Sequence, residues 1–429
     1  MTGLHVGGAN RRGRAASRWA SLKDVAAART YTYEIQLCRE GRWTIEAILT
    51  DEAQAVQTAR MRLATGAFEE VKVVRSRSML GGFTTRKEIL AERRPVVKDP
   101  PLVVTGSPEG APLCRDVEQL YLLPSRVVMG RLLRMFLDKF QVTPTEVLHN
   151  WTYARKLADT GTLMTTAIFQ VAQVHAKALD VPAKARIAEM QPLVDRAMAR
   201  ARDFAAERRR VQLPAFEAAN LETIGRRIEA QVAPEEQGFF FRALLCQYLT
   251  AAGSIGAKGE LALDLLSAEL DPKLAAPIEG VVADTLATAD AVKDLLGPQR
   301  NLGTSLAALG NFLNGRGAPQ GSPPAFARIG TLIAEGRADQ CRDILLERLL
   351  VELARDTNPL DRAHPDGEPK LLETVVAGLR REDGSLLGGK RAQVAVARRQ
   401  IRIRQDHLRR LGLHDQADAL GAEFRKLTV

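Results

Sequence analysis

Gly238-Phe239-Phe240-Phe241-Arg242-Ala243-Leu244-Leu245-Cys246-Gln247-Tyr248-Leu249-Thr250-Ala251-Ala252, closed by Gly253, is the stretch on which the fold turns. Wound as a helix, it carries apolar residues almost all the way round. A helix on a protein surface needs only one apolar stripe, so one that is apolar on nearly every side belongs inside a bundle or a membrane. A membrane span takes about 20 apolar residues, and this run is shorter and includes Arg242. The stretch is expected to be the central buried helix of a large helical body.

Periodicity on either side agrees. From about Glu118 the apolar residues recur at helical spacing nearly to the end. Thr143-Pro144-Thr145-Glu146 reads as a helix start, with threonine as cap, proline in the first position and glutamate in the third. Asn314 to Pro324 is a loop dividing a main body, 118–313, from a C-terminal helical part, 325–429. No helical-repeat period of 34 to 47 residues emerges, which leaves an irregular bundle.

Upstream the period changes to two. Tyr31, Tyr33, Ile35 and Leu37 alternate with polar residues, Glu40-Gly41-Arg42 makes a turn, and Trp43, Ile45, Ala47 and Leu49 repeat the alternation, which describes a β-hairpin. Asp51 is placed to cap a helix that Gly66 ends, and Val71 and Val73 share one face of a third strand over Phe68–Arg75. Residues 31–76 are thus expected to form a ββαβ module with one helix-covered face and an open sheet edge. Residues 77–117, rich in proline and glycine, are expected to be a linker. The fold class is α+β.

The chain has 429 residues, is 45 % hydrophobic and 26 % charged, and carries a net charge of +10. That is the composition of an ordinary globular protein. Aromatic residues, at 5 %, are too few for a platform that stacks single-stranded bases. The positive balance favours acidic partners in general. Cys38, Cys114, Cys246 and Cys341 are far apart and match neither a disulfide framework nor a zinc site, which points to a reducing cytoplasm.

Motifs with chemistry in them fail on context. Asp159-Thr160-Gly161 has the residues of an aspartic protease site but falls between helical patterns, where it caps and stops helices. Gly253 to Gly259 lacks the spacing of a phosphate loop. The six histidines show no metal-ligand spacing. No cofactor and no metal are expected.

The leading expectation is a non-catalytic interaction or scaffold protein of the cytosol that meets a protein partner through the sheet module and the helical surface, with Tyr33 and Trp43 on the module's apolar faces. The alternative is a nucleic-acid or other polyanion surface made by Arg11, Arg12 and Arg14 of the basic tail, 1–30, with Arg398, Arg399, Arg402, Arg409 and Arg410 of the last long helix. A third reading is an enzyme whose residues converge from distant helices.

Overall fold

The computed structural model describes residues 31–39, 41–78, 84–94, 101–267, 269–288, 291–319, 321–355 and 357–427. The basic tail, with Arg11, Arg12 and Arg14, lies outside the described residues. The chain divides into two compact units, Met1–Pro100 and Pro101–Val429.

The first unit is an antiparallel sheet of four strands in the order β2-β1-β3-β4, formed by β1 (Tyr31–Arg39), β2 (Arg42–Leu49), β3 (Glu70–Ser78) and β4 (Thr84–Arg93). Its one described helix, α1 (Glu52–Ala64), begins at Asp51, whose carboxylate accepts the Gln54 N–H at 2.7 Å. Tyr33, Ile35, Leu37, Val71 and Val73 pack against Ala55 and Ala59 of α1. Arg62 pairs with Glu46 on β2 at 2.6 Å and Arg60 with Glu92 on β4 at 2.7 Å, so α1 reaches both edge strands.

β4 corrects the expected linker. Thr84–Arg93 pairs along β3 in spite of a charged, weakly alternating sequence, because the β3 backbone supplies the hydrogen bonds. Residues 101–117 are not a free linker either. Leu102 and Val104 pack on the Leu133, Phe136 and Leu137 cluster, and the Thr105 N–H donates to the Leu132 carbonyl. Proline and glycine there exclude regular structure without excluding packing.

In the second unit the Pro234–Leu249 helix is the centre, as its sequence requires: Phe239, Phe240, Phe241, Ala243, Leu244, Leu245, Cys246 and Leu249 are all buried. Around it one apolar core runs from Tyr121 to Ile403 and includes both sides of the 314–324 loop. Phe312 and Phe326 stack across that loop with ring centroids 3.9 Å apart. The Leu302–Leu313 and Glu368–Leu379 helices touch through their backbones: a Cβ added at Gly310 would lie 3.0 Å from the carbonyl carbon of Gly378, and one at Gly378 would lie 2.8 Å from the Ala307 oxygen.

The Thr143 start signal is realised in full. Thr143 Oγ1 accepts the Glu146 N–H at 3.2 Å and Glu146 accepts the Thr143 N–H at 2.8 Å. The helix it opens, Pro144–His149, is short and wholly buried. Asn150 then caps a new helix, Trp151–Ala158. Asp159-Thr160-Gly161 is the turn that follows, with Gly161 at φ 75°. Ser254 caps the Ile255–Leu265 helix, so the Gly253 to Gly259 stretch is a helix start.

Candidate functional site

Tyr33 and Trp43 lie on opposite faces of the sheet, which corrects the reading of β2 as one uninterrupted alternation. A β-bulge places Ile45 opposite Gln36 but Ala47 opposite Ile35, with Glu46 as the extra residue. Directly opposed residues share a face. Leu49 and Ala47, opposite Tyr33 and Ile35, therefore point to α1. Ile48, Ile45 and Trp43, opposite Glu34, Gln36 and Cys38, point the other way. Tyr33 is buried, whereas Trp43, Ile45 and Ile48 are 41 %, 58 % and 59 % exposed.

The face opposite α1 is otherwise organised by charge. Lys72 Nζ stands 4.7 Å above the Trp43 ring and within 3.5 Å of Glu88. Glu34 is buried there and accepts from Ser76 at 3.3 Å and from Arg86 at 3.4 Å. A second bulge, at Ile89, interrupts β4, so each edge strand of the sheet carries one.

The cations of the last long helix, Gly389–Arg410, are dispersed by the fold. Arg399 is buried and donates to the carbonyls of Leu353 at 2.8 Å, Asn358 at 2.7 Å, and Glu352 and Arg355 at 2.9 Å. It thereby caps the C-terminal end of the Asp339–Ala354 helix, where a positive charge suits the dipole. The expectation that Arg399 offers itself to an external polyanion does not fit this position. Arg402 pairs with Asp406, Arg409 with Asp406 and Asp418, and Arg410 with Asp366. Arg398 is exposed.

Two polar clusters lie deeper in the helical unit. In the first, Arg126 Nε donates to Asp284 at 2.9 Å, and the other Asp284 oxygen accepts from Thr145 Oγ1 at 2.5 Å. This pair lies at the edge of a cleft of about 660 Å³. The cleft's arginines are engaged: Arg131 with the Glu109 carbonyl, Arg134 with Asp138, Arg391 with Glu347 and Arg348 with the Leu286 carbonyl. Alongside, Lys258 and Glu146 form a buried pair.

In the second cluster the rings of Tyr121 and His149 lie 4.7 Å apart, and both residues are buried. Neither the Tyr121 hydroxyl nor His149 Nε2 has a hydrogen-bond partner among the described residues. Burial pushes the Tyr121 hydroxyl up to about 12, with Arg200 acting in the opposite sense. Burial holds the His149 imidazole well below its ordinary value, with Arg242, Arg126 and Arg200 adding to the effect. Cys246 shares the Thr145 carbonyl with His149, and burial raises its thiol well above the ordinary value. It is therefore a packed thiol and no nucleophile.

Sequence reasoning missed this second cluster because its members are far apart in the chain. The usable signal was a histidine ending a short helix whose every residue is buried. Among the described residues no three His, Cys, Asp or Glu side chains group as metal ligands, and no helix is long and apolar enough to cross a membrane. Compared with family models, curated proteins and solved structures, the chain matches none of them.

Proposed function

We propose that this is an interaction protein whose sheet module docks an amphipathic helix of a protein partner on the face opposite α1. The observation that carries the reading is the exposed stripe Trp43, Ile45 and Ile48. Solvent-facing apolar residues aligned on one strand mark a contact surface more often than scattered ones do. Strand addition at an edge is disfavoured because the bulges at Glu46 and Ile89 break the ladder that an added strand would have to follow. The stripe spans about 15 Å at the rise of a strand. That length accommodates helical anchors spaced i, i+4 and i+7. Lys72 and Glu88 supply both signs of charge beside it, which suits the mixed polar flank of such a helix. The four cysteines, all buried free thiols, support the cytoplasm as the place of action.

A photo-crosslinking residue at Ile45 in the full chain tests the reading. The expected product is a crosslink to a helical segment of another protein, absent when the same group replaces Met61, which is exposed on α1. Crosslinks only to the same chain, or equal capture from both positions, would overturn it.

A further inference from the structure

The geometry around Arg242 points to a ligand site in the helical unit, independent of the sheet module. Arg242 is bracketed along its own helix. Three residues earlier, Phe239 packs on both aromatic rings, with centroids 5.7 Å from Tyr121 and 5.0 Å from His149. Four residues later, Cys246 Sγ reaches the Thr145 carbonyl at 3.6 Å, the same carbonyl that His149 Nδ1 meets at 2.8 Å. Residues three and four apart lie on one helical row. The row of its helix that carries Arg242 therefore faces the turn that runs from Thr145 to His149.

The donor and acceptor inventory of this place is incomplete. The Thr145 carbonyl can only accept, so His149 Nδ1 carries the ring proton and Nε2 presents a bare lone pair. Burial keeps the imidazole neutral, and the nearby Arg242, Arg126 and Arg200 add to the effect. Nε2 lacks a donor and the Tyr121 hydroxyl lacks an acceptor. Arg126 is engaged with Asp284, and Arg200 with Glu118 at 2.6 Å and Glu236 at 2.7 Å. Arg242 makes no hydrogen bond or ion pair among the described residues, and burial lowers its pKa. Each buried polar group left unmet costs about 1–3 kcal/mol.

We propose that Arg242, Tyr121 and His149 bind a small oxyanion that carries its own hydroxyl proton, of the kind found in hydrogen phosphate or an α-hydroxycarboxylate. Arg242 N–H groups and the Tyr121 O–H donate to the charged oxygens, and the ligand's O–H donates to His149 Nε2. A metal cation has the wrong sign beside the Arg242 guanidinium, whose charge no carboxylate pairs with among the described residues. The approach lies past Gly238, an exposed residue whose missing side chain leaves Arg242 reachable: a Cβ there would stand 3.3 Å from Arg242 Nη1.

Calorimetric titration of the full chain at neutral pH and constant ionic strength tests this, with phosphate set against sulfate and glycolate against acetate. The hydroxyl-bearing member of at least one pair is expected to bind about tenfold tighter or better, a difference of about 1.4 kcal/mol. Preference for phosphate or for glycolate separates the two sources of the same chemistry. Tyr121→Phe and Arg242→Met each weaken the binding about tenfold or more. Tyr121→Phe melts close to the parent, because its O–H donates to no described residue in the ligand-free protein. The nitrogen resonance of His149 Nε2 moves on saturation. Binding of sulfate and acetate as tight as their partners, unaltered binding in both variants, or no saturable heat up to about 10 mM, the outcome if a water alone fills the place, would overturn the site.

Discussion

Lys258 Nζ lies 2.7 Å from Glu146 Oε1, and neither side chain reaches solvent. The pair joins the capped Pro144–His149 helix to the Ile255–Leu265 helix, and Lys258 also donates to the Gln141 carbonyl at 2.6 Å. Two charges out of water are tolerated together and not singly.

Lys258→Met should therefore destabilise the helical unit by about 3–5 kcal/mol, since it strands the Glu146 carboxylate in the core. Lys258→Met with Glu146→Met should recover most of that, less about 1 kcal/mol for the lost capping interaction. Urea denaturation of the three proteins measures both quantities. A double variant no more stable than the single one would show that the pair is not the cause.

Arg399 and Arg398 are neighbours with opposite fates. Arg399→Lys cannot reach the carbonyls that the planar fork serves and should cost about 3 kcal/mol. Arg398→Gln, at an exposed position, should stay within about 0.5 kcal/mol. Equal losses in a denaturant titration would contradict the capping role.

The bulge at Glu46 makes Tyr33 and Trp43 inequivalent. Tyr33→Ser removes a core side chain packed under α1 and should lower the melting transition of the sheet module. Trp43→Ser and Ile48→Ser remove side chains from the opposite face and should leave that transition in place while abolishing the crosslink from position 45. Near-ultraviolet circular dichroism and calorimetry distinguish the outcomes.

His149 gives a pH signature of definite sign. Its folded pKa is depressed, so below about 6.5 the unfolded chain takes up a proton that the folded protein refuses. The stabilisation is complete above that pH and is lost as pH falls towards the depressed folded value, at up to about 1.4 kcal/mol per unit. His149→Gln should remove this slope while the contributions of carboxylates remain. A variant whose stability tracks the parent through pH 6.5 to 5 would contradict a neutral buried ring.

How much of this was legible depended on whether the signal was local. The Pro234–Leu249 helix declares itself because burial round most of its circumference requires apolar residues round most of it. The Thr143 capping box likewise lies within four consecutive residues. β1, α1 and most of β3 follow from alternation and a cap. What failed was alternation across a bulge: the extra residue at Glu46 reverses the face of Trp43 and Ile45 without altering the spacing of Trp43, Ile45, Ala47 and Leu49. Ile89 disrupts the pattern of β4 in the same way, and with Arg86 and Lys87 beside it the strand resembles linker. Arg399 differs from the other cations of its helix only through the end of a helix 46 residues earlier in the chain. Tyr121, His149 and Arg242 have no sequence spacing in common, because helix packing alone brings them together.

At Gly310 and Gly378 the chain stands one methyl group from misfit. Glycine and alanine codons are separated by a single base, so alanine is among the first replacements that random mutation offers at both places. Each such change would push a helix axis outward and open the core on either side of the contact. Substitutions that survive in descendants of this gene should therefore be rare at these two buried positions, and an invariant pair there would record a crossing distance and no chemistry.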